Sequence, residues 1–138
     1  MPTAIINYLA VLVAAILSMI IGAFWYSPML FGKQWMEWMN FAPKDMLDMK
    51  KRANASYAIN FLLLLLMAFL LAHFVDYVQA TLFIEGVQLG FWIWLGFIAT
   101  ISLGSVLWEG RPIQAYLINA GYHLVSLVLM SVILTLWT

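Results

Sequence analysis

Hydrophobic positions run through this chain in four long blocks, separated by shorter polar stretches. The blocks cover residues 4–26, 56–78, 87–108 and 113–137. Each would reach about 33 Å or more as a helix, enough to cross a hydrocarbon core about 30 Å thick. Helices are expected because backbone that faces lipid must satisfy its own hydrogen bonds. The pattern therefore predicts an all-α polytopic membrane protein, with a single four-helix transmembrane domain over residues 1–138.

Composition supports lipid as the surrounding medium. The chain is 66% hydrophobic and 9% charged, whereas soluble domains carry about 25% charged residues. Six basic and six acidic residues cancel, so there is no basic face of the kind that binds nucleic acid. The absence of cysteine excludes disulfides and thiolate chemistry. No basic residue precedes Lys33, so we interpret the first block as a retained span and not a signal peptide.

The basic residues predict the direction of the spans. Five of them lie in the loop at residues 27–55 and the sixth lies between the third and fourth blocks. They are Lys33, Lys44, Lys50, Lys51, Arg52 and Arg111. The loop between the second and third blocks has none. Because basic loops stay inside, we expect this side in the cytoplasm, both termini on the other side, and a bacterial inner (cytoplasmic) membrane as the location.

The long loop contains two predicted surface helices. Phe31, Trp35, Trp38 and Met39 follow near-helical spacing, which predicts an amphipathic helix lying at the membrane interface. Pro43 predicts the start of a second short helix, with acids in its first turns and bases at its end. The alternative is a flank that only sets the topology.

A short signature occurs twice. "YAIN" at Tyr57–Asn60 and "YLIN" at Tyr116–Asn119 both begin a span on the basic side. This predicts a 2+2 repeat of hairpins about an axis along the membrane normal, with chance similarity as the alternative. A true repeat would place the two tyrosines and two asparagines around a shared centre.

The fourth block holds polar residues at positions that should lie deep in the membrane, where polar side chains are unusual. Asn119 and His123 are four apart and share one helix face with Tyr116. His123 falls near the membrane midplane, where each ring nitrogen needs a partner. Candidates are Ser102, Ser105, Ser18 or water. The residue is interpreted either as a ligand contact or proton relay, or as a helix–helix hydrogen bond.

Glu109 and Arg111 lie at the mouth of this stripe, in a turn that contains Gly110 and precedes Pro112. On a regular helix they would not face each other, but a turn allows them to pair. They are either a salt bridge that locks the hairpin or an ionic gate beneath the stripe.

The remaining polar group holds His73, Asp76 and Glu85, and the first two could pair. Together they offer too few ligands for a metal site. Gly86 and Gly90 form a small-xxx-small pair, which predicts close helix packing. No nucleophile–base–orienter set is visible, so we expect no enzyme, no metal and no cofactor.

Several motifs resemble a known family. These are "NYLAVLVAA", "WYSPMLFGKQW", "WLGF", "EGRP" and "INAGYHLVS". They are similar to the bacterial and fungal membrane-protein family called domain of unknown function 1761, from Asn7 to about Ser126. The resemblance implies a small multi-span protein and supplies no reaction or catalytic residue.

The function predicted from the converging polar stripe is binding or transport of a small molecule in an inner-half cavity. Its site residues would be Tyr57, Asn60, Glu109, Arg111, Tyr116, Asn119 and His123. The alternative is an accessory or assembly subunit of a larger membrane complex, whose polar residues only fix packing. The expected partners are the lipid bilayer and further copies of the chain in a symmetric homo-oligomer.

Overall fold

Within residues 5–137, which a computed structural model describes, four helical segments are long and apolar enough to cross a membrane. They are α1 (Tyr8–Trp25), α4 (Ala53–Tyr77), a third span at Phe83–Leu107, and α8 (Ile113–Leu136). Each begins and ends within a few residues of a predicted block, so the four-span prediction is confirmed. Ala4, the predicted start of the first block, lies outside the described residues.

Two short helices, α2 (Gly32–Met39) and α3 (Pro43–Lys51), follow the first span. Pro43 occupies the first turn of α3, where a missing N–H is harmless. The carboxylate of Asp45 accepts a hydrogen bond from the Ala42 N–H at 3.3 Å. The interfacial position of α2 and the internal repeat stay predictions.

The third span is not a continuous α-helix. It consists of α5 (Phe83–Ile93), a π-helical segment (Trp94–Ala99), α6 (Thr100–Ser102) and α7 (Gly104–Leu107). A π-helical turn is wider than an α-turn and is often found at functional sites. Here it lies beside α8, on the side where the polar residues of α8 occur.

α8 is the central helix, since it packs against α1, α4 and α5. The closest approach is to α5. A Cβ atom on Gly86 would lie 3.0 Å from the Val132 Cα, and one on Gly90 would lie 2.7 Å from the Val128 Cα. The predicted tight packing of this glycine pair is confirmed, because only glycine permits such backbone contact.

The interior of the bundle is closely packed and mainly apolar, although it also encloses the hydroxyls of Ser18, Ser126, Ser131 and Thr135. Small side chains on α1 let it approach α4 and α8, and larger ones on α4 and α8 fill the space between them. The fully enclosed members include Ala10, Ala14, Ala15, Ala68 and Met130. The charged side chains lie towards the two ends of the bundle.

The two ends differ in charge. We call one the basic end, where α2, α3, the Arg52 that follows α3 and the turn before α8 carry all six basic residues. We call the other the terminal end, where the Asn7 amide Nδ2 donates to the Trp137 carbonyl at 3.2 Å. That bond ties the start of α1 to the end of α8.

Candidate functional site

Two tryptophan side chains, one from the first span and one from the third, donate hydrogen bonds to the backbone of α8. Trp25, the last residue of α1, donates from its indole Nε1 to the Ile118 carbonyl at 2.9 Å. Trp94, the first residue of the π-helical segment, donates to the Ala120 carbonyl at 2.8 Å. Gly121 makes room for the first indole, because a Cβ there would lie 3.0 Å from the Trp25 Cζ2. These contacts fix α8 where its polar stripe begins.

Tyr26 sets the orientation of the Asn119 amide. Its phenol donates to the Asn119 Oδ1 at 2.6 Å. Burial, with a smaller effect of the neighbouring Tyr122, raises the pKa of Tyr26, so the phenol stays protonated and able to donate. One lone pair of the Oδ1 is thus used, and the Nδ2 makes no hydrogen bond within residues 5–137.

Tyr116 links α8 to the π-helical segment. Its hydroxyl donates to the Ala99 carbonyl at 2.8 Å, at the last residue of that segment. On the other side of α8, the Tyr122 hydroxyl donates to the Ser18 carbonyl at 3.0 Å. The aromatic hydroxyls of α8 therefore bind main-chain carbonyls of two other spans.

These contacts surround a polar cavity of about 310 Å³ near the basic end. It is lined by Tyr26, Ser102, Ser105, Glu109, Arg111, Tyr116, Asn119 and His123. Five of the seven residues predicted from sequence are brought together here. Ser102 and Ser105 had been predicted only as partners of His123.

Tyr26 is the lining residue that the sequence reasoning missed. Its signal was present in the "WYSP" stretch, which places a phenol at the same end of the bundle as Asn119. The link was not apparent because the two residues are 93 positions apart.

His123 is the deepest ionisable residue of the cavity. It lies ten residues after Ile113, about 15 Å along α8. Its ring packs 5.3 Å from that of Tyr122. It makes no hydrogen bond to any side chain or backbone group in residues 5–137, although Ser102 and Ser105 line the same space. The serine partners considered for it are therefore not engaged.

Glu109 and Arg111 form the mouth of the cavity. The Arg111 Nε donates to the Glu109 Oε2 at 3.2 Å, and both side chains are more than half exposed. Gly110 between them has φ +70°, a left-handed conformation that favours glycine. The predicted turn and ion pair are present, and their charges cancel at the entrance.

Tyr57 and Asn60 are not brought to this cavity. Both are exposed near the start of α4, where Tyr57 keeps 62% of its surface accessible. The shared centre expected for the four repeat residues is not formed. The reason is that the start of α4 is not covered by other spans, whereas the start of α8 lies among them.

The second polar group is also dispersed. His73 Nδ1 lies 2.9 Å from the Phe69 carbonyl of its own helix. Glu85 caps α5 by accepting from the Leu82 N–H at 2.9 Å. Within the described part of the chain, Asp76 does not pair with His73, and no group of three or more His, Asp or Glu side chains could hold a metal ion.

The fold and cavity define a class: a small polytopic α-helical membrane protein with a polar cavity beside its central helix. More specifically, the chain belongs to the family described as "Protein of unknown function (DUF1761)", whose model matches residues 9–135, nearly the whole chain. The predicted resemblance is thereby confirmed. No curated protein and no solved structure matches the chain.

Proposed function

We propose that this protein binds a small polar molecule in the cavity beside α8, as a binding or transport protein. The observation that carries the proposal is His123. An imidazole deep in a transmembrane helix has a high cost unless its nitrogens find partners. Here the ring lines a polar cavity and bonds to no described residue, so a ligand or water must supply those partners.

The chemistry of the lining favours a ligand without net charge. Glu109 and Arg111 cancel each other, and the inner wall is uncharged. In the described chain, the Asn119 Nδ2 and the Ser102 and Ser105 hydroxyls donate no hydrogen bonds. A volume of about 310 Å³ is at the lower end of the usual range for ligand sites. A small neutral or zwitterionic molecule fits these groups.

Cysteine labelling tests whether the cavity is open to water. The chain has no cysteine, so Ser105→Cys introduces a single thiol into the cavity. Ser126→Cys, whose native side chain is only 1% exposed, is the matched control in the dry bundle. A water-soluble thiol reagent should modify the first variant readily and the second at least about a hundredfold more slowly. Equal, slow labelling of both would contradict a wet site.

The same variant provides a ligand assay and a test of topology. Pools of polyols, amides and zwitterionic amino acids are added, and protection of Ser105→Cys from labelling is measured. A pool that protects this thiol identifies the ligand class, and uniform labelling in every pool argues against the site. Reagents that cannot cross membranes, applied to each side of sealed vesicles, test the proposed cytoplasmic position of the basic end.

A structural role in a larger complex is the second candidate. The observation that favours it is the number of polar groups near the cavity already bonded between spans, including Trp25, Trp94, Tyr116 and Tyr122. In that case the cavity would be an interface filled by a partner protein. Crosslinking in native membranes should then give a discrete larger complex, and Ser105→Cys should be protected only within it.

A further inference from the structure

A second hollow, of about 390 Å³, lies at the terminal end between the starts and ends of three spans. Its apolar lining consists of Ile5, Ile6, Ala72, Val75, Ala80, Leu134 and the indole of Trp137. Its polar lining consists of Asn7, Asp76, Gln79 and Thr81. It is separated from the cavity beside His123 by the closely packed middle of the bundle.

The two amide side chains of this hollow each donate one hydrogen bond to the backbone. The Asn7 Nδ2 donates to the Trp137 carbonyl, and its Oδ1 accepts from the Ala10 N–H at 3.2 Å. The Gln79 Nε2 donates to the Asp76 carbonyl at 2.7 Å. The Asp76 carboxylate is the charged group of this lining.

Asp76 is only partly exposed and has no charge partner in the described chain. Its carboxylate accepts no hydrogen bond and makes no ion pair with any of residues 5–137. The sequence holds no Lys or Arg between Arg52 and Arg111, and both of those lie at the basic end. A partly buried carboxylate is stabilised by an opposite charge, and no residue of 5–137 supplies one, so Asp76 is open to a cation from another molecule.

The walls indicate which kind of cation fits. A small metal ion needs about six oxygen ligands, and here one carboxylate is surrounded mainly by alkyl groups. An organic ammonium uses the surroundings better, since its alkyl part packs on Leu134 and Val75 and its charge can lie near the Trp137 indole. We propose that this hollow binds the primary ammonium group of an amphiphilic molecule, with Asp76 as its counter-ion.

Two sources carry that chemistry: the headgroup of an aminophospholipid and a soluble alkylamine. The full chain in a nonionic detergent is mixed with equal amounts of phosphatidylethanolamine and phosphatidylglycerol that share the same acyl chains. Lipid retention is read by native mass spectrometry. Saturable binding of hexylamine is measured in parallel by its effect on the melting temperature.

For the lipid source, phosphatidylethanolamine should be retained about tenfold over phosphatidylglycerol, and Asp76→Asn should bring the two to parity. For the soluble source, the lipids should not differ, and hexylamine should stabilise the native chain but not Asp76→Asn. Glu37→Gln, which removes an exposed carboxylate at the basic end, should behave as the native chain does. An unchanged melting temperature of ligand-free Asp76→Asn shows that the variant folds.

The proposal is overturned if Asp76→Asn changes neither lipid preference nor hexylamine binding, or if Glu37→Gln changes them equally. It does not depend on the function proposed for the other cavity. Labelling of Ser105→Cys should be the same with and without Asp76→Asn, so either idea can fail alone.

Discussion

The two copies of the tyrosine–asparagine signature have the same sequence pattern and very different surroundings. In α4, Tyr57 and Asn60 are exposed at the edge of the bundle. In α8, Tyr116 bonds to the third span and Asn119 bonds to Tyr26 after the first. Tyrosine and asparagine at this spacing therefore line a cavity only where neighbouring spans cover them.

The positions that follow each signature explain the difference in packing. Two residues after Asn119 is Gly121, which admits the Trp25 indole, whereas two residues after Asn60 is the lipid-exposed Leu62. Four residues after Asn119 is His123, whereas the corresponding residue of α4 is Leu64, a member of the apolar core. α8 thus has a gap at Gly121 that admits the side chain of a neighbouring span, and it has polar groups close to that gap. α4 has neither feature.

The largest expected effect comes from closing that gap. Gly121→Leu places a bulky side chain against Trp25, and overpacking of this kind costs about 2–3 kcal/mol of unfolding free energy. The mirror change in α4, Leu62→Gly, removes only a lipid-facing side chain and should cost about 1 kcal/mol through lower helix propensity. Titration with SDS in mixed micelles measures both. A greater loss for Leu62→Gly would reverse the assignment of α8 as the packed copy.

The second largest difference in unfolding free energy is expected between substitutions of the two asparagines. Asn119→Leu leaves the Tyr26 hydroxyl without its acceptor, and we expect a loss of about 1–2 kcal/mol. Asn60→Leu replaces an exposed amide by an apolar group in a lipid-facing helix and should leave the unfolding free energy unchanged or raise it. Tyr26→Phe combined with Asn119→Leu should lose less than the sum of the single changes, because the two groups share one hydrogen bond. Strict additivity would show that this bond contributes nothing.

The four spans could be predicted from sequence because apolar length alone specifies a transmembrane helix. Residue types and spacing also predicted the Glu109–Arg111 turn and the close packing of Gly86 and Gly90 against a neighbouring helix, though not which helix. These features are local, or depend on a single helix face, so a linear pattern contains them.

The rest of the site depends on contacts between distant segments. Nothing local in "WYSP" shows that the Tyr26 phenol reaches Asn119, and nothing local in "WLGFIA" shows that residues 94–99 are π-helical. The prediction for Tyr57 and Asn60 used similarity to the α8 signature, and similarity does not specify which helix becomes central. Which helix is central depends on how the four spans pack together.

The tyrosines provide a smaller test of the same comparison. Tyr116→Phe removes the hydroxyl that donates to the Ala99 carbonyl, a contact between helices that is worth about 0.6 kcal/mol in membranes. Tyr57→Phe removes a hydroxyl with no described partner and should be close to neutral. SDS titrations of the two variants, run side by side, should separate them; equal values would mean that the Ala99 bond is not stabilising.

The smallest effect on stability is expected for His123→Leu, and it is the most informative change. The imidazole has no hydrogen-bond partner among residues 5–137, so leucine of similar size should leave the unfolding free energy unchanged or raise it. Binding should respond in the opposite way. A solute that protects Ser105→Cys from labelling in the native background should lose at least about tenfold in affinity when His123 is replaced, while Asn60→Leu should keep full protection. A marked loss of stability instead, with protection intact, would make His123 a packing residue and leave the α8 signature structural, as it is in α4.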